Sequence, residues 1–83
     1  MKESRWNLKK NERLKRIRGV SFEDLINSKL IRIIEHPTRK NQKIMLFEFK
    51  RYIWAVPFVE EEDHYFLKTL FPSRKYTKQF KGE

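Results

Sequence analysis

The sequence predicts an α+β fold made of two N-terminal helices, a four-stranded, mainly antiparallel sheet and a short C-terminal helix, all in one domain spanning residues 1–83. Three features carry this prediction. Apolar residues recur at helical spacing ahead of Gly19, the centre of the chain turns to short runs of β-branched and aromatic residues, and helical spacing returns after Ser73. A chain of 83 residues is one small domain that buries only about 60% of its unfolded surface, and its 2 Trp, 3 Tyr and 7 Phe supply a core of large rings.

For the first helix, about residues 8–18, Asn7 is the N-cap and Gly19 the stop, and Trp6, Leu14 and Ile17 are spaced to share one face. Its basic last turn complements the negative end of the helix dipole. The second helix is signalled by Ser21 and Asp24 as a capping-box variant and by Val20 and Leu25 as a hydrophobic staple, and it should end near Asn27 or Ser28. Four strands follow, at Leu30–Glu35, Lys43–Phe49, Tyr52–Val59 and Tyr65–Phe71, although the first of these segments is also compatible with an extension of the second helix.

The middle strands are apolar on both parities, as expected of central strands covered on both sides. The helices supply one cover; the C-terminal segment or a partner chain supplies the other. Lys50-Arg51 and Glu60–His64 are short enough to be hairpin connections, though Lys-Arg is poor chemistry for a two-residue primed turn. Pro57 interrupts its strand, bulges it, or faces an open edge, since it has no N–H to donate. Ser73 caps a terminal helix reaching Phe80, with Tyr76 and Phe80 four residues apart on one face.

Charge narrows the function. The 20 basic and 11 acidic residues give a formal net charge of +9, and the excess is at the ends: +6 over residues 1–20, zero over 21–71 and +3 over 72–83. An anionic partner is therefore met by both ends of the chain, and nucleic acid is the partner that such a charge predicts, with single-stranded RNA suiting exposed aromatics such as Tyr52 or Tyr76. The sequence has no cysteine, so thiolate zinc sites, disulfides and cysteine nucleophiles are excluded; this suits a cytoplasmic protein. No apolar run is long enough to span or enter a membrane. His36 and His64 lie far apart, Glu60 to Asp63 read as a solvated hairpin tip, and neither a metal nor any cofactor is implied.

Two segments resemble a known family. The stretch from Trp6 to Asp24 (WNLKKNERLKRIRGVSFED) is similar to the N-terminal signature of BrnT-type toxins of bacterial type II toxin–antitoxin pairs, with its Trp-Asp opening, Lys-Asn or similar pair and Gly-Val-Ser-Phe-Glu junction. Phe71 to Lys78 (FPSRKYTK) resembles that family's terminal Ala-Arg-Lys-Ala-Thr-Lys-Lys motif. The sheet between them resembles it in strand count and length only. Asn7 stands for the usual Asp, Tyr76 for the usual Ala, and Lys50-Arg51 where relatives often carry Asn-Gly.

The resemblance implies a RelE-like fold and metal-independent endoribonuclease activity on mRNA, free or ribosome-bound. It also implies neutralisation by a cognate antitoxin in a complex of two toxins and two antitoxins. Such cleavage needs a base for the 2′-hydroxyl, cations for the pentacoordinate phosphate and an acid for the leaving oxygen. On this reading Arg74 and Lys75 stabilise the transition state, Tyr76 stacks on a base or acts as the acid, and His36 is the candidate base. Arg39, Lys40, Lys43, Lys78 and Arg51 are the expected RNA contacts. The competing readings are a non-catalytic basic nucleic-acid-binding module and a basic protein that docks an acidic partner.

Overall fold

The computed structural model describes residues 2–82. A short strand, β1 (Glu3–Arg5), precedes the first helix, α1 (Leu8–Arg18). The Asn7 side chain accepts the Lys10 N–H at 2.9 Å to begin α1, and Gly19, at φ 74°, ends it in the left-handed region with its N–H on the Lys15 carbonyl. The second helix, α2 (Phe22–Ile26), opens on a complete capping box: Ser21 Oγ accepts the Asp24 N–H at 3.1 Å and the Asp24 carboxylate accepts the Ser21 N–H at 2.9 Å. Both staple residues, Val20 and Leu25, are buried.

Trp6 and Ile17 depart from the expected helix face. Trp6 precedes the cap and packs on the Phe22 ring at 5.6 Å, and Ile17 is 65% exposed, so only Leu14 of the three faces the core from within α1. A polar residue makes the junction between the helices instead. Buried Asn11 accepts the Phe22 N–H at 2.8 Å and donates to Glu23 at 2.7 Å, which ties the middle of α1 to the start of α2.

The sheet has six strands rather than four. β2 (Lys29–Glu35), β3 (Gln42–Phe49), β4 (Tyr52–Glu60) and β5 (His64–Leu67) form the antiparallel centre, β1 adds in parallel to β5, and β6 (Phe71–Pro72) pairs with β4. Leu30–Glu35 is thus strand, not helix. The expected last strand, Tyr65–Phe71, is broken into β5 and β6 because Lys68–Leu70 leave the ladder to bury Leu70 in the core. β1 has only three residues, too short to show alternation in the sequence.

Pro57 lies inside an unbroken β4. β4 pairs with β5 at Phe58–Glu60 and with β6 at Trp54–Ala55, so Pro57 sits in the gap between the two partners. Its carbonyl accepts the Lys68 N–H at 2.8 Å, and its donorless nitrogen faces that gap. A bulge between Leu30 and Arg32 shifts the register of β2 against β3.

Both faces of the central strands are covered by the chain itself. Met45, Phe47, Val56 and Phe58 pack with Leu14, Phe22 and Leu25 under α1 and α2. Ile44, Leu46, Ile53 and Ala55 lie on the other face, where Tyr76 and Phe80 of the last helix, α3 (Arg74–Lys81), pack on them.

The start of α3 is fastened to β4 through hydrogen bonds. Thr77 Oγ1 accepts the Ile53 N–H at 2.9 Å and donates to the Ser73 carbonyl at 2.7 Å; Ser73 N–H returns to the Ile53 carbonyl at 2.9 Å. Ser73 Oγ caps the helix at the Tyr76 N–H. Among the described residues no helix is long and apolar enough to cross a membrane.

Two stability predictions follow from these contacts. Thr77→Val keeps the shape and strands the buried Ile53 N–H, which should cost about 1–3 kcal/mol in urea unfolding, while Thr77→Ser should restore most of it. The second concerns acid. Lys15 donates to Asp24 at 2.8 Å and, together with the Ser21 N–H, holds that carboxyl below its ordinary value of 3.8. Asn11 does the same for Glu23. A depressed carboxyl contributes stability above its unfolded value and loses it as pH falls through the folded one, so the melting temperature should drop below about pH 4. Asp24→Asn should flatten that acid limb.

Candidate functional site

Half of the cations of the central and C-terminal chain line two grooves at opposite ends of β3 and β4. The first lies beside the β3–β4 hairpin and is lined by Glu48, Arg51, Tyr52, Arg74, Thr77, Lys78 and Lys81. The second, at the far end of the same strands, is lined by Lys10, His36, Arg39, Gln42, Pro57, Lys68, Thr69 and Phe71. His36 is bonded to Gln42, and Ser73, just before Arg74, is bonded to Ile53, which pairs with Glu48. Six residues of β3 separate those anchors, so the backbones of His36 and Arg74 are about 20 Å apart. The two halves of the expected catalytic set therefore do not meet at one phosphate.

In the hairpin groove, the first turn and outer side of α3 present Arg74 and Lys78 to solvent, held in place by the Thr77–Ile53 anchor beneath them. Arg51 faces them from the hairpin and Tyr52 begins β4. Glu48 accepts a short hydrogen bond from Lys81. That bond, and after it the Lys81 charge, keeps the Glu48 carboxyl below the ordinary carboxylate range, so it is ionised at neutral pH. The groove thus joins a carboxylate and three cations outside any ion pair among the described residues, Arg51, Arg74 and Lys78, with Tyr52 at its edge on a strand position of the opposite parity from Ile53, the partner of Glu48.

The hairpin that delivers Arg51 is strained. Lys50 and Arg51 both have positive φ, 53° and 68°, as a two-residue primed turn requires. Neither side chain favours that region, at about 1 kcal/mol or more each relative to glycine. The strain sets a cation at the groove's rim, where Asn-Gly would leave none.

The second groove fixes the tautomer of His36. Its Nδ1 accepts the Thr38 and Arg39 N–H groups at 3.2 and 3.1 Å, so the neutral ring carries its proton on Nε2. In that form Nε2 donates, which suits a phosphate oxygen and does not suit abstraction of a 2′-hydroxyl proton. Arg39 lines the same groove, and Lys40 is exposed in the adjoining turn.

The remaining expected residues stand apart. Lys43 is 3.7 Å from Glu60, which Lys2 also engages at 2.9 Å. Lys75 is exposed, with its ammonium 5.4 Å above the Tyr76 ring; Tyr76 is half-buried against the sheet and stacks on Phe80 at 6.4 Å between centroids. Sequence reasoning did not find Glu48, Lys81, Lys10 or Lys68 for these grooves, because each is an isolated charge in an unremarkable stretch and only the folded chain brings it beside the others. Among the described residues no cluster of three or more His, Asp or Glu could hold a metal ion.

No protein-family model matches the sequence, and no curated protein does. The likeness lies in three dimensions: the chain has the α+β fold of a small bacterial toxin. Among solved structures it resembles the Brucella abortus ribonuclease toxin BrnT, determined at 1.1 Å resolution, with a TM-score of 0.54 over 88% of this chain and 97% of that one. The two sequences are 18% identical over that likeness.

Replacing Lys50-Arg51 by Asn-Gly should relieve the turn and raise stability by about 1–2 kcal/mol in urea unfolding, because both new residues accept positive φ. The same change takes both of the turn's cations, Arg51 of the groove among them, off the hairpin tip.

Proposed function

We propose that this protein is an endoribonuclease toxin that cleaves mRNA without a metal ion and is held inactive by a cognate antitoxin. The observation that carries the reading is the hairpin groove, in which a carboxylate and unpaired cations lie together on a fold shared with a ribonuclease toxin. Proton abstraction and charge stabilisation in 2′-hydroxyl attack each have a side chain to perform them. Glu48, being ionised, takes the 2′-hydroxyl proton as the 2′-oxygen bonds to phosphorus. Arg74 and Lys78, with Arg51 opposite, neutralise the pentacoordinate phosphate as charge builds on its oxygens. The 5′-oxygen leaves with a proton from water in the exposed groove, and the products are a 2′,3′-cyclic phosphate and a free 5′-hydroxyl.

In this account the base is a carboxylate and His36 becomes a phosphate donor on the flanking strand. Lys75, one step around α3 from Arg74, meets the neighbouring nucleotide, while Tyr76 stays packed on the sheet. The toxin works in the cytoplasm, on free or ribosome-bound mRNA, and its strong positive charge attracts the antitoxin, with which it forms a complex of two copies of each.

Purified protein incubated with mRNA in EDTA, with and without ribosomes, should yield fragments ending in 2′,3′-cyclic phosphate; intact RNA in both would sink the reading. Glu48→Gln keeps a partner for Lys81, and it should lower the cleavage rate by about 10²–10⁴ with little change in RNA affinity. The double variant Arg74→Ala, Lys78→Ala should abolish growth arrest while unfolding at a similar urea concentration.

A further inference from the structure

A third basic groove runs along α1 and belongs to neither of the others. One wall is the helix face bearing Lys9, Lys10, Arg13 and Arg16; the other is the end of β5 with Phe66 and the following Lys68. No carboxylate lines it. Among the described residues none of these five cations is in an ion pair, and neither is Glu12, the one acid of α1. Lys15, on another side of the same helix, is paired with Asp24.

Helix electrostatics accounts for Arg16 alone among these charges. Basic residues favour the last turn, and Lys15, Arg16 and Arg18 are there, but Lys9 and Lys10 occupy the first turn, which carries no acid and whose partial charge is positive. Lys9, Arg13 and Arg16 lie at spacings of four and three, where like charges repel along one face. The fold keeps a row of cations that its own helix resists.

The row also leads somewhere. Lys10 and Lys68 line both this groove and the groove of His36 and Arg39, so the two form one continuous basic surface. Cations step along the helix at about one turn, 5–6 Å, which is comparable with the spacing of phosphates along a strand.

We infer that the α1 groove is a track for the phosphate backbone of single-stranded RNA, feeding the strand past His36 toward the hairpin groove. It rests on the reading that the protein acts on RNA. Cations on both walls clasp one backbone, and the His36 Nε2–H continues the row of donors.

The test compares the full chain with a Lys9→Gln, Arg13→Gln, Arg16→Gln variant, using fluorescence anisotropy of a labelled 20-nucleotide RNA over a range of salt, in a Glu48→Gln background that does not cleave. The variant should bind about tenfold more weakly at low salt, and its salt slope should shrink by about 2, the amount that three lost phosphate contacts remove from single-strand binding. Arg18→Gln with Lys29→Gln, which removes two charges elsewhere, should leave the slope unchanged. With the active chain, the triple variant should cleave a dinucleotide at the normal rate and the long RNA more slowly. Melting separates a folding defect, since loss of like charges should not lower stability.

An unchanged affinity and slope would overturn the inference. So would a loss confined to an acidic polypeptide such as polyglutamate, which would make the groove a protein-docking face. RNA that binds along this track and is never cut by the wild-type chain would sink the nuclease reading and leave the track standing.

Discussion

The placement of α3 depends on one hydroxyl. Where β6 ends, the Ile53 N–H of β4 faces no strand, and a buried donor left alone there would cost a substantial part of a small domain's stability. Thr77 meets it, passes its own proton to the Ser73 carbonyl, and so fixes the first turn of the helix on the strand. Three consequences share that contact. Tyr76 and Phe80 cover the second face of β3 and β4. Ser73 is held where it caps the helix. Arg74 and Lys78, which flank Thr77 on the outer side, are turned toward the hairpin tip.

A comparable device operates on the other face. Asn11 reaches from the middle of α1 to the first residues of α2, satisfying the Phe22 N–H and holding the Glu23 carboxyl below its ordinary range. With the capping box and the Lys15–Asp24 pair, this locks the two helices at the angle that buries Phe22 and Leu25. Polar contacts at two helix starts therefore set the geometry, and the apolar faces fill the space they define. That order suits a chain too short to specify its packing by core volume alone.

Much of this was legible in the sequence. Caps, stops, the capping box and the doubly apolar central strands follow from local rules, and the structure places all of them as read. What escaped was non-local. β1 forms only because β5 offers an edge, and Tyr65–Phe71 breaks because Leu70 has a core site to fill. Ile17 fits a helical pattern yet has no neighbour to bury it. The candidate site was half legible. Arg74, Lys78 and Arg51 carry visible charge in a motif or a turn and do share a groove. Glu48 reads as an ordinary strand residue until the hairpin sets it beside Arg74, Tyr52 is legible only as an exposed aromatic, and the expected union of His36 with Arg74 fails because β3 holds them at its two ends.

The distribution of charge explains why these features cost stability and are nonetheless kept together. Surface cations that a fold needs for itself sit at helix C-termini or beside acids, as Arg18, Lys15, Lys2 and Lys81 do. Several of those lining the three grooves lack such a reason: Lys9 and Lys10 oppose a helix dipole, Lys9 and Arg13 repel along one face, and Arg51 is held at an unfavourable φ. Mutual repulsion of this kind is relieved when a polyanion enters and persists beside any uncharged or cationic ligand. The positive excess that the sequence divides between its two ends is thus gathered by the fold onto a few surfaces: α1 carries the N-terminal share toward Lys68 and His36, and α3 carries the C-terminal share to the hairpin.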